Sequence, residues 1–162
     1  HLQLGSYFIK YASRHSAPKE RFFSIKMLGN DGQVVVPYLC WTLHQHAMQL
    51  ADKVLLSQLV GVTTGPGELA FQRYMVTGNV IKGCRQGPHH AKLPANGTFT
   101  LWFFDRKRQV ARSLSLLTCS LDVFDMWTKA MNALVAVNSA STREYLQQRE
   151  MDRLLQQAQS DV

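Results

Sequence analysis

The chain has 162 residues, 46% apolar and 18% charged, with 18 Lys and Arg against 11 Asp and Glu and a formal net charge of +7. This length suits one domain with a proper core and leaves little room for two. The composition excludes disorder as the general state, and with no apolar run of about 18 residues the sequence holds no membrane-spanning helix.

The excess of positive charge points to an acidic partner: nucleic acid, an anionic membrane or an acidic protein. It falls mainly in two groups, Lys10, Arg14, Lys19, Arg21 and Lys26 against Glu20 alone, and Arg106, Lys107, Arg108 and Arg112. Cys40, Cys84 and Cys119 are odd in number and lie far apart without a CxxC, which fits a reducing, cytosolic compartment. The segment opens at His1 without a Met and has no signal-peptide layout, so we expect the natural N-terminus, where acylation signals reside, to lie upstream.

Taken in order, Ser6 to Ala12 alternates as a strand, with Tyr7, Ile9 and Tyr11 on one face and Phe8 and Lys10 on the other. A loop over Ser13 to Lys19 leads to a second strand, Arg21 to Leu28, and Gly29-Asn30-Asp31-Gly32 supplies turn chemistry. Val34 to Leu43 resumes as a strand in which Pro37 argues for an edge or a break. His44 to Asp52 reads as a loop or short helical turn, and Val54 to Thr64 as one or two strands ending at Gly65-Pro66-Gly67. Leu69 to Val76 is either a further strand or the way into a long insertion, Thr77 to Gly97, that has no period of its own.

Thr98 to Phe104 is the clearest strand, with Phe99, Leu101 and Phe103 facing a core and Trp102 and Phe104 on the opposite face. After a polar turn at Asp105-Arg106-Lys107-Arg108, Val110 to Thr118 sets Leu114 and Leu116 on a buried face against Ser113 and Ser115. From Ser120 to Val137 the spacing of Val123, Phe124, Trp127, Met131, Leu134 and Val135 predicts an amphipathic helix. Ser120 is its expected N-cap, and Asp122 and Asp125 suit its positive end. Asn138-Ser139-Ala140 is expected to break it, with capping-box spacing from Ser141 to Glu144 opening a second helix to about Gln157. A Trp-centred stripe needs an apolar partner, and the inside of a β-sandwich or barrel is the natural one.

Seven or so antiparallel strands capped by such a helix resemble a pleckstrin homology (PH) domain, closest to that of the delta-type phospholipases C. The segments Gly5 to Lys10, Lys19 to Phe23, Leu59 to Val62 and Arg112 to Leu116 carry the likeness, over about 4–138. The resemblance implies a mainly β fold, a partly open barrel of two antiparallel sheets with a capping helix; beyond it, the second helix read from the tail makes 139–162 a helical extension. The resemblance also implies an inositol phosphate site in the loop between the first two strands, where Lys and Arg converge on phosphate. Carried over by position, Lys10 and Arg21 match two contacts of that site, and Arg14 and Lys19 stand close to others. A lysine expected two residues after Lys10 is Ala12 here, and no lysine follows on the third strand until Lys53. A pocket lacking two ion-paired hydrogen bonds, each about 1.5–3 kcal/mol, loses orders of magnitude in affinity.

That erosion resembles the small acylated PH proteins of the apicomplexan inner membrane complex. The resemblance implies a scaffold anchored by N-terminal acyl groups on the cytoplasmic face of a membrane, the domain serving as a protein-interaction module. Trp102 and Phe104, and Leu146, Met151 and Leu154 on the second helix, are then the candidate protein contacts. The alternative is a genuine phosphoinositide-binding module. An enzyme is not expected, because no motif joins a nucleophile to its base. No cofactor and no metal are expected: His44 with His46, and His89 with His90, lack a third ligand at useful spacing. Nucleic acid is not expected either, since the aromatic run from Phe99 to Phe104 is already divided between core and outer face.

Overall fold

The structure, a computed structural model, describes residues 2–11, 18–29, 34–72, 97–105 and 108–160, with side chains up to 141. Seven strands follow in order: β1 (Ser6–Tyr11), β2 (Lys19–Leu28), β3 (Val36–Thr42), β4 (Asp52–Leu55), β5 (Leu59–Thr64), β6 (Thr98–Asp105) and β7 (Val110–Leu117). A single 3-10 turn, Leu56–Gln58, joins β4 to β5, and the helix α1 (Leu121–Ser160) closes the order. The strands pair antiparallel as one open sheet, β4-β3-β2-β1-β7-β6-β5. Val54 of β4 and Leu59 of β5, near the two ends of that sheet, meet in the same core, so the sheet curls around its inner face.

The alternation read from the sequence decides which residues line that face. Phe8, Phe23, Leu39, Phe99, Leu101, Phe103, Leu114 and Leu116 are buried there, and Phe124, Trp127 and Met131 of α1 pack into them. Trp127 is the keystone: its ring meets Phe8 edge-on with centroids 5.0 Å apart, and its Nε1–H donates to Ser6 Oγ at 3.2 Å. Both the apolar body and the polar edge of the indole are thereby satisfied. The N-cap is as expected, with the Val123 amide donating to Ser120 Oγ at 3.3 Å.

The structure corrects two sequence expectations and decides against one of two alternatives in a third. Asn138, Ser139 and Ala140 do not break the helix, which runs unbroken to Ser160. Asn138 instead turns its Nδ2 to Leu56 O at 2.9 Å and Leu59 O at 2.8 Å, clamping the helix to the β4–β5 junction. Ser115 is buried, not exposed, because a second small core of Ile9, Tyr11, Phe71 and Leu117 covers the outer face there. Ser115 Oγ meets that burial with a 2.9 Å bond to Thr100 Oγ1. Residues 69–72 are a helical turn carrying Phe71, not a strand. The proposed insertion from Thr77 lies outside the described residues up to 96, as does the turn at 30–33.

Pro37 sits inside β3 opposite Met27, while β4 pairs only with Tyr38 to Trp41. Among the described residues no strand pairs with the far side of β3 at Pro37, which is where a residue lacking an N–H is tolerated. Gly5, at φ +78°, feeds the chain into β1; a Cβ there would run into the Phe22 ring and lie 2.5 Å from Phe23 O.

Candidate functional site: the open end of the curled sheet

Antiparallel register places the β1–β2, β3–β4 and β6–β7 connections at one end. Residues paired across antiparallel strands share a face, so the inner face can be followed outward past the core. Beyond Phe8 it continues through Lys10, paired with Lys19, and Phe8 itself pairs with Arg21. On β3 and β4 it ends in the pair Trp41 and Asp52, and on β7 in Arg112, paired with Phe103. The inward alternation that buries Phe8 and Leu116 thus delivers four cations and one carboxylate to the mouth of the sheet.

A cavity of about 380 Å³ opens there, lined by Lys10, Trp41, Asp52, Arg112 and the core residues Phe103 and Leu114, among others. Lys10 Nζ lies 4.7 Å from the centroid of the Trp41 ring, a cation–π distance. Burial is the main cause that lowers the Lys10 pKa from its ordinary value; the Asp52 carboxylate opposes it, and the Arg21 and Lys19 charges add to it. The cations therefore act on one another, with Asp52 as counter-charge. Asp52 also accepts the Lys53 amide at 2.8 Å through Oδ1. Arg21 donates through Nη1 to Glu20 O at 2.7 Å.

Of the sequence-predicted head-group residues, Lys10, Lys19 and Arg21 come together; Arg14 lies outside the described residues. Arg112 and Asp52 were missed as members of this site. The signal for Arg112 was present: counting back in twos from Leu116 and Leu114 puts it on the core face. Trp102 is half-buried on the outer face over Gly61, donating its Nε1–H to Thr63 Oγ1 at 3.1 Å, and Phe104 is also half-buried. Leu146, Met151 and Leu154 fall on helical backbone whose side chains lie outside the described residues. His44 and His46 are exposed on the β3–β4 loop, and among the described residues no group of three His, Cys, Asp or Glu side chains could hold a metal ion. No helix among the described residues is long and apolar enough to cross a membrane.

With this geometry in place the chain can be set beside known proteins. Crystal structures of PLC21 from L. pealei and PLC21 from S. officinalis share the fold, each with a TM-score of 0.52, at 11% and 12% identity. In both cases 83% of this chain is covered, and it spans only 16% of the neighbour's length. No curated protein matches the sequence. The profile of the PH-like domain family matches residues 1–139, which takes in every strand and the clamped part of α1 as far as Asn138; the chain belongs to the PH-like domain family.

Proposed function

We propose that this chain is a non-catalytic, peripheral membrane interaction module whose open end holds anionic head groups only weakly. The observation that carries the reading is the state of Lys10, whose ammonium is laid against Trp41 and faces the Asp52 carboxylate across the same cavity. A phosphate entering there meets a nearby like charge and competes with a ring already holding the lysine. Each effect subtracts from the charge-assisted bonds that a tight inositol phosphate site needs.

In this reading residues 4–138 are the PH-like module and 139–162 an extension whose described part, to Ser160, prolongs the capping helix. On the likeness to the small acylated PH proteins, acyl groups upstream of the present segment supply the lasting anchor, since one weak protein–lipid contact gives only reversible binding. The module then acts as a scaffold on the cytoplasmic face, within the inner membrane complex if that narrower likeness holds. Trp102 and Phe104, or Leu146, Met151 and Leu154, offer the protein contact. Titration of soluble inositol phosphates into the protein tests the reading: heats at the level of dilution support it, and micromolar binding lost on Lys10→Ala refutes it.

One observation favours a second reading, a genuine phosphoinositide-binding module. Arg112 enters the same cavity as Lys10 from β7, and so adds a cation that the resemblance did not supply to Lys10, Lys19 and Arg21 at the mouth. Binding weakened alike by Arg112→Ala and Lys10→Ala would establish it.

A further inference from the structure

The β3–β4 loop, 43–51, hangs from the same mouth between Trp41 and Asp52, and it carries three exposed apolar side chains. Leu43 is 62% exposed, Leu50 36%, and Met48 is wholly in solvent. The loop is held by the fold: the Ala47 amide donates to His44 O at 3.0 Å, and Thr42 Oγ1 donates to the same oxygen at 2.7 Å. The Gln45 amide donates to Tyr7 Oη at 3.1 Å, and the Ala51 amide donates to Trp41 O at 2.8 Å. These bonds tie the loop to β1 and β3, and they leave Leu43, Met48 and Leu50 exposed.

Charge says what such a tip fits. Lys10, Lys19, Arg21 and Arg112 stand at this end, and Arg108 with exposed Val110 follows on the β6–β7 turn. The described acidic residues here are Asp52, Asp105 and Glu20; Asp105 already pairs with Arg108, its Oδ2 4.0 Å from Nε. Glu20 pairs with Ile9 and so faces the outer side. Exposed apolar side chains beside a group of cations match an anionic bilayer, where acyl chains lie beneath phosphates and carboxylates. A protein partner would need an apolar groove with an acidic rim to answer both features, whereas any anionic bilayer offers both together.

We propose that Leu43, Met48 and Leu50 form a wedge that enters the acyl boundary of an anionic bilayer, the open-end cations resting among the head groups without a stereospecific ligand. The inference rests on the peripheral-membrane reading above and adds to it the inserting element and the lipid class. It accounts for membrane contact by a module whose head-group cavity is weak, because insertion needs no particular inositol phosphate.

The test is co-sedimentation of the full chain with phosphatidylcholine vesicles, with and without phosphatidylserine, for the wild type, Met48→Leu and Met48→Asp. Met48 touches no core, so both variants should keep the wild-type thermal transition. The expected result is binding that needs phosphatidylserine, unchanged in Met48→Leu and weakened by about tenfold or more in Met48→Asp, since an apolar side chain is replaced by a charge at the inserted position. Wild-type strength in Met48→Asp overturns the wedge while leaving membrane association standing. A wild type that binds neither vesicle overturns the wedge together with the weak membrane contact proposed for the open-end cations.

Discussion

Replacing Asn138 by Ala should destabilise the fold well beyond what an exposed helix position would give. Its Nδ2 bridges Leu56 O and Leu59 O at 2.9 and 2.8 Å, across the 3-10 turn that joins β4 to β5. Each such bond contributes about 1 kcal/mol net, and part-buried carbonyls left without a donor raise the loss, so about 1–3 kcal/mol is expected. At about 2–4 °C per kcal/mol for a domain of this size, the midpoint of thermal unfolding should fall by about 3–10 °C. Asn138→Asp should be worse at neutral pH, because a carboxylate would face two carbonyl oxygens. That environment raises the carboxyl's folded-state pKa, so the penalty is complete above the raised value. It shrinks as pH falls toward about 4, where the unfolded carboxyl titrates. Paired melting curves of wild type and variants across this range are the assay. An Asn138→Ala variant melting within about 1 °C of wild type would refute the clamp.

Lys10→Met should raise the unfolding midpoint while weakening vesicle binding, because the net effect of the site disfavours the charged ammonium. Linkage gives the sign: with the folded-state pKa of Lys10 lowered, its contribution to stability improves as pH rises from that value to the unfolded 10.5 and is poorest below it. Melting curves compared at neutral and alkaline pH check this, the advantage of Lys10→Met being greatest at neutral pH. Asp52→Asn should increase binding to phosphatidylserine vesicles several-fold by removing the carboxylate at the mouth, and co-sedimentation reads that directly. Gly5→Ala forces a Cβ at φ +78° into Phe22 and Phe23; strain and overlap together should cost more than about 2 kcal/mol by denaturant unfolding. Phe71→Ala removes the central side chain of the outer cluster with Ile9, Tyr11 and Leu117, and should cost about 3–5 kcal/mol by the same measurement.

The strands were legible because the sheet is buried on one face for most of its length. Period-two alternation from Thr98 to Phe104 assigns Leu101 and Trp102 to opposite sides without any tertiary information, and Trp127 announced the capping helix through its spacing to Phe124 and Met131. Reading failed where a second surface intervened. Ser115 looked solvent-facing because nothing local reveals that Phe71, over forty residues earlier in the chain, covers that patch. Asn138 looked like a helix terminator because local competition for backbone bonds is what asparagine usually signals; its amide is spent instead on carbonyls about eighty residues away. The mouth of the sheet was half legible. Lys10 and Arg21 were reached through family resemblance, while Arg112 and Asp52 join them only through the register of β7 against β6 and of β4 against β3.

The central claim is that the cations at the open end serve a membrane surface and do not build a tight head-group site. Calorimetric titration of inositol phosphates into the wild-type protein and Lys10→Ala, with folding of both established by their thermal transitions, tests it most directly. The account predicts no micromolar binding to either protein. Micromolar binding by the wild type that disappears in Lys10→Ala would contradict it and make the Lys10–Arg112 cavity a true phosphoinositide pocket.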